Sequence, residues 1–126
     1  MADHHVKIDV IGEMPDGSWV MILVEEGPWA DADLTANLRR VRQRFRNCVD
    51  VAIDGHLATH YPQSKGKPAV VRLDCYDTPD APVREFVDRF AAHVRGAADI
   101  QRDMKDKGFV ASLRFEYSWD TLQKAV

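Results

Sequence analysis

Trp19-Val20-Met21-Ile22-Leu23-Val24 decides how this chain is read: six apolar residues without a polar break, preceded by Pro15-Asp16-Gly17-Ser18 and followed by Glu25-Glu26-Gly27-Pro28. A run this short, bounded by turn residues on both sides, is a strand, and both of its faces need cover. It belongs in the middle of a sheet or beneath a partner. Toward the N-terminus, Val6, Ile8 and Val10 alternate with Lys7 and Asp9, the pattern of a strand with one buried face. Between the two, Pro15 presets φ, Asp16 can bond its own backbone and Gly17 accepts a positive φ. A hairpin from Val6 to Ile11 into Trp19 to Val24 is therefore expected.

Toward the C-terminus the period lengthens. Leu34, Leu38, Val41, Phe45, Cys48 and Ala52 follow one another at spacings of four and three, with Val49 and Ile53 widening the stripe. This predicts an amphipathic helix capped by Asp31 or Asp33 and stopped at Gly55. Its other side carries Arg39, Arg40, Arg42, Arg44 and Arg46. From His56 to Pro68 the chain reads as a helical turn and then a loop, because Pro62, Gly66 and Pro68 break regular structure. A strand from Ala69 to Tyr76 sets Val71, Leu73 and Cys75 against Arg72 and Asp74. A second long helix carries Val83, Phe86, Val87, Phe90, Val94, Ala97, Ile100 and Met104 and ends at Gly108. Gly96 inside it predicts a kink or break, since Gly costs ~1 kcal/mol against Ala in a helix. Phe109 to Tyr117 alternates again as a last strand.

The order is ββαβαβ. The fold class expected is α+β: a two-layer sandwich in which a four-stranded mixed sheet carries two long helices on one face. Right-handed crossovers make the last three strands largely parallel, with the strand order left open. All 126 residues form one domain, with about 1–5 and 118–126 expected as flexible tails.

The composition is that of an ordinary globular chain, 45% hydrophobic and 29% charged, which argues against pervasive disorder. A net charge of -3 gives no overall pull toward nucleic acid or an anionic membrane, and neither is expected as a partner. No run approaches the ~20 apolar residues a spanning helix needs and no apolar leader precedes the first strand, so a cytoplasmic location is expected. Cys48 and Cys75 lack zinc-site spacing and read as buried reduced thiols.

Candidate sites are sparse. His56 and His60, four apart, would share one face of a helical turn as metal ligands often do, yet only Asp54 and Tyr61 lie near in sequence as further ligands, so neither a metal nor a cofactor is expected. Ser64-Lys65-Gly66-Lys67 suggests phosphate binding, but a strand follows where a phosphate loop needs a helix. His56, His60, Tyr61, Lys65 and Lys67 therefore stand as a candidate ligand-binding set within one loop. The arginine run reads as a solvated helix face or a docking surface for an acidic protein, represented by Arg39, Arg42 and Arg46. Asp74, Asp77 and Asp80 read as turn and capping residues, and Trp19 and Trp29 as core or interface. The second face of the apolar strand, Val20, Ile22 and Val24, would be an apolar stripe for a homodimer unless the tail with Trp119 and Leu122 folds over it. No catalytic residue is assigned.

Ile8-Asp9-Val10-Ile11-Gly12, the Asp16-Gly17 turn, Trp29, Gly55-His56-Leu57 running to Tyr61-Pro62, and Lys65-Gly66-Lys67-Pro68 together resemble a family of small bacterial proteins catalogued as a domain of unknown function. The resemblance extends through Tyr117 and implies no activity. The arginine-rich stretch and the segment from Gly96 to Lys107 are longer or more basic than that family leads one to expect. The functional expectation is a non-enzymatic bacterial interaction domain acting by surface recognition, possible roles including an immunity-type one that occludes a toxin. The alternative is a small metal- or ligand-binding enzyme using the loop from His56 to Lys67.

Overall fold

The computed structural model describes residues 8–119. Four strands, β1 (Val10–Glu13), β2 (Trp19–Glu26), β3 (Lys67–Tyr76) and β4 (Val110–Trp119), form one sheet in the order β1-β2-β3-β4. β1 is antiparallel to β2, whereas β2, β3 and β4 are parallel. Helices α1 (Leu34–Ile53), α2 (His56–His60), α3 (Asp80–Gly96) and α4 (Ala98–Lys107) supply the crossovers. This is the expected α+β sandwich with its mixed sheet.

The apolar run becomes an inner strand, as its two-sided hydrophobicity requires. In register, Trp19, Met21 and Leu23 sit beside Ala69, Val71 and Leu73, and these join the core with Val41, Phe45, Cys48, Ala52, Val83, Val87 and Val94 of the helices. Phe45 of α1 meets the rings of Phe86, Phe90 and Phe115 at 5.3 to 5.9 Å, tying both long helices to β4. Such ring pairs add ~0.5–1.5 kcal/mol each beyond their buried area. On the face away from this core, Val20 pairs with Val70 and both are buried, while Ile22 and Val24 are half-buried beside Arg72 and Asp74. The stripe named for a homodimer is thus closed at Val20. Leu122, named as its cover, lies outside the described residues, and Trp119 is instead the last residue of β4 on the core side.

Three local expectations change. Among the described residues the first strand begins at Val10, after Ile8 and Asp9, and its inward residue is Ile11; Val10 is 51% exposed. The hairpin fixes this register: Met14 N–H donates to Ser18 O, Gly17 takes φ 89°, and the Asp16 carboxylate accepts from Ser18 N–H and Oγ. Those bonds hold the Asp16 carboxyl below the usual carboxylate range. Upstream, the Asp9 carboxylate leaves the strand pattern to accept from Val24 N–H and Arg44. Val6 and the tail residues 1–5 lie outside the described residues, as do 120–126, but Ser118 and Trp119 belong to β4 and not to a tail.

The second long helix divides after Gly96, where Ala97 takes an extended ψ of 102° and α4 starts anew. No side-chain cap bond forms at Asp33, and a single 3-10 turn, Asp31–Asp33, leads into α1 instead. Gly55 ends α1 with φ 96°, and the Phe109 ring lies 2.9 Å from where a Cβ would stand, so both backbone conformation and space require glycine. Cys48 and Cys75 are buried free thiols, and burial pushes them up to about 12 and about 11.

Candidate functional site

Helical geometry sorts the arginine run. Residues four apart share a face of α1 and residues two apart do not, so Arg40 and Arg44 point one way and Arg42 and Arg46 another. Arg44 donates to Glu25 Oε2 at 2.7 Å, to Val24 O at 2.9 Å and to Asp9 Oδ2 at 2.9 Å. Arg40 pairs with the other oxygen of Glu25 and lies over the Trp29 ring. Glu25, only 4% exposed, continues the inward parity of Met21 and Leu23 into the end of β2, and its burial is tolerable because two guanidiniums meet it. Arg44 is therefore internal structure and Arg40, itself exposed, is tied to the same carboxylate, so this half of the run is not the free solvated face expected.

Arg42 and Arg46 are exposed, and they line a groove of about 410 Å³ between α1 and α3 together with Arg89, His93, Glu85, Leu38, Phe86, Phe90 and Pro82. Leu38, Phe86 and Phe90 carry the apolar part of the lining. Glu85 is its one acid and pairs with Arg89 at 2.9 Å. Among the described residues Arg42 has no ion pair, and Arg46 is attracted to Asp50. The groove therefore combines an apolar lining with surplus positive charge. Arg39 is exposed but lies outside the lining, so the structure separates it from Arg42 and Arg46. The α3 half, Arg89 and His93, went unread in sequence, although Glu85, Arg89 and His93 fall at a spacing of four.

A second groove, of about 690 Å³, opens between β1 and the helices α1 and α2. Ile8, Ile11, Val51 and Leu57 contribute its apolar surface, with Asn47, Asp50, Asp54, His56, His60 and Tyr61 around them. His56, His60 and Tyr61 thus converge with two carboxylates. Both imidazoles are exposed, and His60 Nδ1 lies 3.0 Å from His56 O within the same helical turn. Asp54 pairs with Lys107 at 3.0 Å, and burial, reinforced by Asp54, raises Asp50 above the usual carboxylate range. Tyr61 packs against Trp19 with ring centroids 5.4 Å apart. Among the described residues no three His, Cys, Asp or Glu side chains are placed to share a metal ion.

Lys65 and Lys67 do not line this groove. The turn between them has Gly66 at φ 77° donating to Phe109 O, so it anchors β3 to the start of β4. Of the three aspartates expected as turn and capping residues, Asp77 does sit in a turn, with φ 61°, whereas Asp74 lies within β3 and pairs with Arg72, and Asp80 opens α3 without a cap bond and pairs with Arg84. No helix of the described residues is long and apolar enough to cross a membrane. The chain matches no family model, no curated protein and no solved structure.

Proposed function

We propose that the protein acts by surface recognition, taking an acidic, amphipathic segment of a partner protein into the groove between α1 and α3. The observation that carries this reading is the position of Arg42, Arg46 and Arg89 around Leu38, Phe86 and Phe90, with one acid among three guanidiniums. Leucine-like side chains of the partner would enter the apolar lining, and its carboxylates would meet the arginines, whose planar donors suit carboxylate pairs. The reading includes the bacterial origin that the family resemblance implies and the cytoplasmic setting expected from the sequence, and an immunity-type occlusion of a toxin is one form of it. The loop-based enzyme is the weaker reading, because Lys65 and Lys67 stand apart from His56, His60 and Tyr61.

A fluorescein-labelled helical peptide of Leu and Glu at three- and four-residue spacing tests the proposal by anisotropy. Binding by the parent and its loss in an Arg42→Glu/Arg46→Glu variant of unchanged melting temperature is the expected result. Equal binding by both proteins, or none by the parent, would overturn it.

A further inference from the structure

We infer a second interaction surface at β1, independent of the basic groove: the outer edge of this strand accepts an extended peptide of apolar and basic residues from a partner, as an added antiparallel strand. Four observations meet there. β1 pairs with β2 alone, so its outer edge is open among the described residues. Met14 and Ser18 are joined by a backbone bond at 2.8 Å, and antiparallel pairs alternate from that point, which turns the N–H and C=O of Ile11 and Glu13 outward. Val10, on the face away from the helices, is the one large hydrophobic residue that stands mostly exposed among the described residues. Finally, the helices only partly cover the core side of β1, so that Ile8 and Ile11, half-buried against the core, line the open groove with Val51 and Leu57.

A strand laid along this edge forms main-chain bonds to Ile11 and Glu13, and its alternate side chains fall beside Ile11 in the groove or beside Val10 outside it. The groove side asks for apolar residues in the middle and basic ones at the ends: Asp50 and Asp54 line it, the pair of Asp54 with Lys107 is solvent-exposed and open to exchange, and Glu13 lies on the same face of β1 as Ile11. A second copy of this chain fits less well. The β1 residues that would share the groove face are Ile11 and Glu13, and another Glu13 adds an acid where acids already stand. His56, His60 and Tyr61 then serve as rim contacts to the incoming strand.

The experiment measures anisotropy of a labelled peptide whose alternate positions read Lys, Val, Val, Lys with Thr between them (the Val-Lys peptide), the same peptide N-methylated on alternate backbone nitrogens, and its counterpart with Glu in place of Lys. Saturable binding of the Val-Lys peptide alone is expected, with affinity falling about tenfold in an Asp50→Asn/Asp54→Asn variant. An Arg42→Glu/Arg89→Glu variant, changed only in the groove between α1 and α3, should bind it as the parent does, which separates the two surfaces. Equal binding of the N-methylated peptide would show that no strand is added and would overturn the inference. So would an absence of binding, or sedimentation showing a dimer that Val10→Lys dissociates, since the occupant would then be a second copy.

Discussion

Arg44 and Arg42 stand two residues apart on one helix and face opposite environments. Arg44 turns inward to a buried carboxylate, a backbone carbonyl and a second carboxylate, so its charge is consumed in fastening α1 to the ends of β1 and β2. Arg42 turns toward α3 with no acid to meet it. The contrast shows that a charge run along a helix is a set of faces, each judged by what the fold brings against it. The face with partners is structural, and the face without them is where a ligand gains by binding.

The contrast can be broken most forcefully at Arg44. Arg44→Ala leaves Glu25 buried with Arg40 alone and should lower the unfolding free energy by about 3 kcal/mol, measured by urea denaturation. In the same variant, iodoacetamide should label Cys48 far faster than in the parent, because opening of α1 exposes a thiol that burial otherwise protects. Arg42→Glu/Arg46→Glu should do the reverse: weaken the acidic peptide by about tenfold or more while shifting stability by no more than ~0.5 kcal/mol. If instead it destabilised as Arg44→Ala does, the distinction between the two faces would fail.

Salt and pH sharpen the comparison by smaller effects. Raising ionic strength from about 0.05 to about 0.5 M should weaken peptide binding at the exposed arginines but leave the Arg44→Ala destabilisation nearly unchanged, since buried pairs are screened less. In alkaline solution the thiols decide the sign. Cys48 is raised in the folded protein from 9.0 to about 12, so its contribution is complete below pH 9 and is lost as pH rises from there toward 12. A pH series of melting temperatures should therefore fall across that window, and Cys48→Ala should flatten the fall while costing stability from the lost packing.

Much of the architecture was legible because it follows from local period. The unbroken run at Trp19 to Val24 had to be a strand covered on both faces, in the middle of a sheet or beneath a partner, the spacing of Leu38, Val41, Phe45 and Cys48 could only close on a helix, and Gly96 marked the place where the second helix kinks or breaks. Val10 was misread for an equally local reason. Alternation gives the parity of a strand but not where the strand begins, and here the turn at Met14 and Ser18 set the register and put Ile11 inward. Glu25 was missed although its parity with Leu23 was visible, because a charged residue at a strand end reads as a terminator until partners are known. The grooves were harder still. Arg42 and Arg46 were singled out, but Arg89 and His93 lie more than forty positions away and join them only when α3 packs beside α1. The candidate set in the loop was divided for the same reason: His56, His60 and Tyr61 face β1, while Lys65 and Lys67 flank a turn tied to β4.

By itself the sequence determined the kind and order of the main elements, most residues of the core and the weak point of the second helix at Gly96, because these depend on hydrophobic period and on the backbone limits of Gly and Pro, which neighbours in the chain express. Only the tertiary structure decided which arginines are neutralised, which histidines share a groove with carboxylates and which edge of the sheet is left open among the described residues. Those depend on distances between residues remote in sequence, and side-chain chemistry at one position carries no record of what will be packed against it.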